Sequence, residues 1–206
     1  GAVQAFPYGP GVKLPNAATM IADGFRNPMY MRCNQAKGLC FADEMSGDNW
    51  DGVGGREKIA LLTPGSHWGF PCCVTKGKAA PGATDDMCND VSVESVAIEL
   101  HDSPFGLDFE PGAWPADTKG AIFIAKHGVV GSWVDSDVVY VPTSADGMPA
   151  GGEQPFTSGF GKGAGTVNGR ATDVAFAPDG RLFVVDDTSG MIWWIAPEDL
   201  AIPGAM

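Results

Sequence analysis

Three cationic side chains recur at corresponding places in three similar stretches of this chain. Arg26 opens Arg26-Asn27-Pro28, Lys126 closes Ala121-Ile122-Phe123-Ile124-Ala125-Lys126 with His127 beside it, and Arg170 opens Arg170-Ala171-Thr172-Asp173. Each stretch reads as strand, turn, strand, which is an antiparallel hairpin. The start of a hairpin's first strand lies beside the end of its second, so these residues share one end of the sheet. Hairpins set radially around an axis would bring Arg26, Lys126 and Arg170 to one axial mouth. Crowded cations repel one another, and a guanidinium fork donates two parallel hydrogen bonds to a carboxylate. The chemistry expected there is the binding of an anion between them.

The elements that must position these residues follow from turn chemistry. The first unit turns between Asn34 and Gly38 into Leu39-Cys40-Phe41-Ala42. The second runs from Ser103-Pro104 through Leu107-Asp108-Phe109-Glu110 to a Pro/Gly turn, and the third turns at Ala177-Pro178-Asp179-Gly180 into Arg181-Leu182-Phe183-Val184-Val185-Asp186-Asp187. Repeated hairpins with Gly-rich turns indicate a β-propeller, whose blades run to roughly 40–45 residues. The repeats are spaced more widely than one blade, so a blade between repeats and inserted loops are both expected. Val96-Ala97-Ile98-Glu99-Leu100 reads as an additional strand, and Asp43 to Asp90 as inserted loop. No window shows a sustained helical stripe. The best helical candidate is the Pro197-Glu198-Asp199-Leu200 turn, with proline at a favourable first position.

A chain of 206 residues, 44% of them hydrophobic, suffices for one domain; all of it is read as part of a single propeller, nearly all β, with about three blades and an inserted loop near 43–95. The formal charge of −12 argues against nucleic acid or an anionic membrane as partner, since both need a basic surface. No apolar run approaches the roughly 20 residues that span a bilayer. Cys33, Cys40, Cys72, Cys73 and Cys88 match no zinc spacing. Cys33 and Cys40 flank the first turn, where cross-strand positions can meet disulfide geometry. Cys72 or Cys73 would pair with Cys88, leaving one cysteine free or paired outside the chain. Disulfides imply an oxidising, secreted, extracellular setting.

Gly24-Phe25-Arg26-Asn27-Pro28, then Phe41-Ala42-Asp43-Glu44, then Pro64-Gly65-Ser66-His67-Trp68-Gly69-Phe70-Pro71 resembles one block of the soluble quinoprotein sugar dehydrogenases. Ser103 to Phe109 leading to Phe123-Ile124-Ala125-Lys126-His127-Gly128, and Gly169-Arg170-Ala171-Thr172-Asp173-Val174 with its Ala177-Pro178-Asp179-Gly180 turn, resemble later blades in the same order. The likeness is greatest to the sorbosone-dehydrogenase-like and fungal pyranose dehydrogenase branch. It implies an all-β, six-bladed propeller holding pyrroloquinoline quinone and calcium at one axial end, of which this chain supplies roughly the C-terminal half. It implies cofactor contacts from Arg26, Asn27, Lys126, His127 and Arg170, with Thr172 standing where the family has a second arginine. Calcium takes six to eight oxygen ligands, and the positions matching the family's carbonyl ligands are Met45 and Ser46, with Glu44 and Asp48 nearby. Asp48-Asn49-Trp50-Asp51-Gly52 lacks the spacing of a calcium loop of its own.

The implied chemistry is hydride removal from the anomeric carbon of a mono- or oligosaccharide, with electrons passed on to an acceptor such as a cytochrome. The family's catalytic base is a histidine of its first half, and none here matches it, so the catalytic residue is unknown. His67 and His101 read as structural and solvated histidines. Trp133 reads equally as a stacking ring for a sugar or as packing, and of Trp193 and Trp194 at least one is core. Asp186-Asp187 reads as a loop cap with no base in view. Three blades leave bare sheet edges. Ring closure is therefore expected to need further residues before Gly1, supplied by a missing N-terminal half or a second subunit. The alternative function is a carbohydrate-binding, lectin-like propeller without catalysis.

Overall fold

Short runs rich in apolar and β-branched residues between glycine-rich turns produce strands throughout. The computed structural model describes residues 1–7, 9–11, 18–47, 56–129, 134–162, 166–167 and 169–200. In chain order, β1 (Ala2–Ala5) and β2 (Thr19–Asp23) pair antiparallel at the N-terminus. The first blade begins with β3 (Asn27–Asn34), β4 (Leu39–Met45) and β5 (Glu57–Leu61). β6 (Ser66–His67) runs parallel to β2, β7 (Cys73–Thr75) and β8 (Lys78–Ala79) form a small hairpin, and β9 (Val96–Ile98) completes the first blade beside β5. The second blade is β10 (Pro104–Phe109), β11 (Ile122–Lys126), β12 (Asp137–Val141) and β13 (Gln154–Pro155) in that order. β14 (Gly161–Lys162) pairs with β15 (Thr166–Val167), and the third blade is β16 (Ala171–Phe176), β17 (Leu182–Asp186) and β18 (Met191–Ile195). Helical structure among the described residues is a single 3₁₀ turn, Asp85–Cys88. Pro197 to Leu200 is a turn closed by Leu200 N–H donating to the Pro197 carbonyl. No helix among the described residues is long and apolar enough to cross a membrane.

The architecture is a β-propeller segment in which the three hairpins are the inner halves of successive blades. The reading of Asp43 to Asp90 as loop is corrected by β5, which pairs with both β4 and β9. Its signal was masked because Glu57 and Lys58 are buried charges, and buried charges need partners. Lys58 Nζ finds Glu44 at 2.9 Å, while Glu57 accepts the Ser103 N–H at 2.5 Å. Nor does a further blade lie between repeats among the described residues. Outer strands and insertions account for the wide spacing.

One apolar layer joins the first and second blades, with Phe41, Ile59, Ile98, Leu107, Ile122 and Ile124 at its centre. Another joins the second and third, around Trp114, Phe123, Ala125, Val174, Leu182 and Val184. Successive residues of β11 thus serve opposite faces, as strand periodicity requires. Cys33 bonds to Cys40 across the first hairpin, as expected, and Cys88 takes Cys73 rather than Cys72. Cys73 and Cys88 are buried together with Val91, and Cys72 is the one free cysteine.

Candidate functional site

The inner strands β3, β10 and β16 run parallel, and their contacts fix the register. Arg32 Nε lies 3.4 Å from Asp108, and Asp108 also accepts the Phe176 N–H at 2.7 Å. Two residues earlier, Gly106 abuts the Asp173 carboxylate so closely that a β-carbon on Gly106 would overlap it. Burial and then the Asp173 charge raise the Tyr30 pKa. The starts of the three strands, Arg26-Asn27, Asp102-Ser103 and Gly169-Arg170, therefore come to one end.

Each inner strand carries a bulge near that end. The register with its partner shifts between Pro28 and Tyr30, between Pro104 and Gly106, and between Ala171 and Asp173. The extra residues are Met29, Phe105 and Thr172. A bulge leaves one residue unpaired and re-aims its side chain, commonly beside a functional site. Phe105 stacks on the His127 ring at a centroid distance of 4.1 Å.

The register also corrects the expectation that the three cations occupy equivalent places. Pro28 pairs with Glu44, Pro104 with Lys126 and Ala171 with Asp186, so Lys126 corresponds to two acids rather than to Arg26 or Arg170. Arg170 corresponds instead to Asn27 and Ser103. Lys126 continues the Ile122–Ile124 face of β11, toward the first blade. Its ammonium donates to Asp102 Oδ2 at 2.6 Å and to Glu153 Oε1 at 3.1 Å. Glu44, Lys126 and Asp186 share one task, fastening the start of the inner strand: Glu44 accepts the Arg26 N–H, Lys126 holds Asp102, and Asp186 accepts the Arg170 N–H.

His127 lies on the opposite face, toward the third blade, and meets Arg170 there. Asp187 joins them. Arg170 donates to it through Nε at 2.6 Å and Nη2 at 2.7 Å, and His127 Nε2 lies 3.4 Å away. Burial and the Arg170 charge hold the His127 pKa below the ordinary histidine value, while the Arg170 hydrogen bonds hold Asp187 below the usual carboxylate range. Arg26 Nη1 donates to the Ser46 carbonyl at 2.7 Å, and Asn27 Nδ2 approaches Met45 Sδ at 3.8 Å. Asp187 was not foreseen as part of this group. Its adjacency to Arg170 across the hairpin was the available signal. Trp133 and Asp48 to Gly52 lie outside the described residues. His67 pairs with Asp23 at 2.5 Å, and His101 sits at a φ of 77°.

Below the mouth, Asp43 is fully buried, accepts the Tyr30 N–H at 2.6 Å and leaves Oδ2 without a hydrogen-bond partner among the described residues. Burial lifts its pKa to about 7, and that of Asp137 to about 6. An acid whose folded pKa is raised binds more protons folded than unfolded. That contribution is complete below the unfolded value of ~3.9 and is lost as pH climbs through the folded one. Unfolding free energy should therefore fall between pH 4 and 7. Asp43→Asn should flatten that fall, leaving the part due to Asp137 and to Asp102 and Asp173, which burial also raises. Urea unfolding at pH 4.5, 6 and 7.5 checks this, and an unchanged slope in the variant would show Asp43 ionised throughout.

No protein-family model and no curated protein matches the chain. Solved structures do. A Trichoderma reesei carbohydrate-active enzyme of family AA12 superposes in its iodide form with a TM-score of 0.68 at 20% identity, over 86% of this chain and 54% of that one. Its calcium form gives 0.66 at 19%, over 87% and 54%. The aldose sugar dehydrogenase of Streptomyces coelicolor, bound to pyrroloquinoline quinone, gives 0.55 at 18%, over 86% and 42%. These likenesses establish the propeller fold. The chain spans about half the length of the structures it matches.

Proposed function

We propose that the starts of the inner strands form the carboxylate-binding side of a pyrroloquinoline quinone site, and that the complete polypeptide oxidises the anomeric carbon of pyranose sugars. The observation that carries this is the carboxylate of Asp187 seated on both nitrogens of the Arg170 fork beside His127. A group that accepts a protein carboxylate in bidentate geometry is suited to a ligand's. Arg26 and Asn27 add a second cation and an amide at the same end. The AA12 enzyme and the quinone-bound aldose sugar dehydrogenase share the fold and support the reading. When bound, the quinone supplies the hydride acceptor. Lys126 serves the site by tethering Asp102 and the start of β10.

Calcium fits these residues less well. The Ser46 carbonyl, expected as a ligand with Met45, carries the Arg26 guanidinium, and a cation there opposes a second one. Among the described residues no cluster of three or more His, Cys, Asp or Glu side chains is placed to hold a metal.

The proton acceptor is left to the remaining blades, as the resemblance implies; within this chain His67 pairs with Asp23 and His127 with Asp187. The remaining blades, from an N-terminal half or a second subunit, and a sugar substrate complete the proposal, together with a secreted location consistent with the two disulfides. Quinone titration followed by absorbance, with and without calcium, tests it. Arg26→Met and Arg170→Met should each weaken binding at least tenfold, about 1.4 kcal/mol, because each removes a charge-assisted contact. Binding unchanged in both variants would remove the enzyme reading and favour a carbohydrate-binding, lectin-like propeller.

A further inference from the structure

Asp186 and Asp187 are neighbours at the end of β17, yet they do different work. Asp186 is 1% exposed, and one of its oxygens accepts the backbone N–H groups of Arg170, Thr188 and Ser189. Those bonds account for the turn that follows β17. Asp187 carries none of that load. Among the described residues its oxygens are engaged only by side chains, those of Arg170 and His127, and 36% of its side chain is open to solvent. A carboxylate that the fold does not need for its backbone, placed in bidentate contact with a mouth arginine, has the geometry of a bound ligand.

We infer that Asp187 is a built-in stand-in for a ligand carboxylate: it occupies the Arg170 fork and is displaced when a polycarboxylate binds. This rests on the reading of the mouth as a polycarboxylate site. The physical reason is charge balance. Asp187 balances the charge of Arg170 at a distance of 2.6 Å, and His127 lies 3.4 Å from the same carboxylate. A ligand must compete with a tethered carboxylate whose effective concentration is high. Asp187 therefore lowers the affinity of the free protein for carboxylates and excludes monocarboxylates, which offer too few contacts to compensate. A ligand with several carboxylates, engaging Arg26 and Asn27 as well, overcomes the competition.

Asp187→Asn keeps the side chain's shape and its contact with His127 but removes the charge. The chain contains three histidines, so the His127 ring signal can be assigned by His127→Gln and followed by NMR as citrate is added. The inference expects citrate to bind Asp187→Asn at least fivefold more tightly than the parent chain, with the gain abolished in the Arg170→Met, Asp187→Asn double variant. If Asp187 instead orients Arg170, the single variant binds citrate no better or more weakly, and the inference fails. A parallel titration with pyrroloquinoline quinone separates the two readings. Tighter citrate binding without quinone binding in either protein sustains the stand-in role and removes the quinone. Tighter binding of both sustains both.

Discussion

Replacing Trp114 with alanine is expected to lower the unfolding free energy by about 4–6 kcal/mol, the largest single effect in this chain. Trp114 sits in the loop between β10 and β11 and is 6% exposed. Its ring lies edge-on to Phe123 and Phe176 at 5.3 Å and tilted against Phe156 at 5.5 Å. Its indole N–H donates to the Gly180 carbonyl, at 2.7 Å, in the turn between β16 and β17. One residue of the second blade thus locks the turn of the third. Truncating a buried aromatic costs about 3–5 kcal/mol, and an orphaned buried carbonyl adds about 1 kcal/mol or more. Trp114→Phe should restore most of the packing and leave a deficit of about 1–2 kcal/mol. Chemical denaturation with tryptophan-independent far-ultraviolet detection measures both. A loss under about 2 kcal/mol for Trp114→Ala would mean that the two blades do not depend on this contact.

Glu110→Ala should cost about 3–4 kcal/mol, although no cation pairs with Glu110 among the described residues. The carboxylate is 3% exposed and accepts four backbone N–H groups, from Gly112 at 2.8 Å, Ala113 at 2.6 Å, Trp114 at 2.9 Å and Gly120 at 2.6 Å. It is the post around which the β10–β11 loop winds. Hydrogen bonds to a charged group contribute about 1.5–3 kcal/mol each, but the amides of the exposed residues Gly112 and Ala113 recover water when it is lost, so the sum is discounted. Glu110 fixes the backbone that presents Trp114, so the two substitutions should not add. The double variant is expected to lose at least 1 kcal/mol less than the sum of the single ones. Strict additivity would show that the loop is held by something other than this carboxylate.

The hairpins, their turns and the all-β architecture were legible because each rests on local rules. Ala177-Pro178-Asp179-Gly180 forms its turn wherever the strands go, with Gly180 at a φ of 90°, and the unbroken apolar run of β11 reports two buried faces at once. The Cys33–Cys40 bond was legible for the same reason, as facing positions of one hairpin. What stayed hidden depends on distant partners. β5 looked like loop because Glu57 and Lys58 are polar by type, and only Glu44 and the Ser103 N–H make their burial tolerable. Cys72 and Cys73 are indistinguishable in sequence, but Cys73 is the buried one that bonds to Cys88, while Cys72, just before β7, only packs partly buried against the same cluster.

The candidate site divides along the same line. That cations gather near the strand starts is a property of the sequence. Which blade each one faces is a matter of single-residue register. Lys126 and His127 are neighbours, yet a strand turns successive side chains to opposite faces, so Lys126 meets Asp102 and Glu153 while His127 meets Asp187. Local pattern specified the residue types and the hairpins that carry them. Only packing of blade on blade determined that His127 of the second blade reaches Asp187 of the third, because no local interaction encodes the proximity of those two blades.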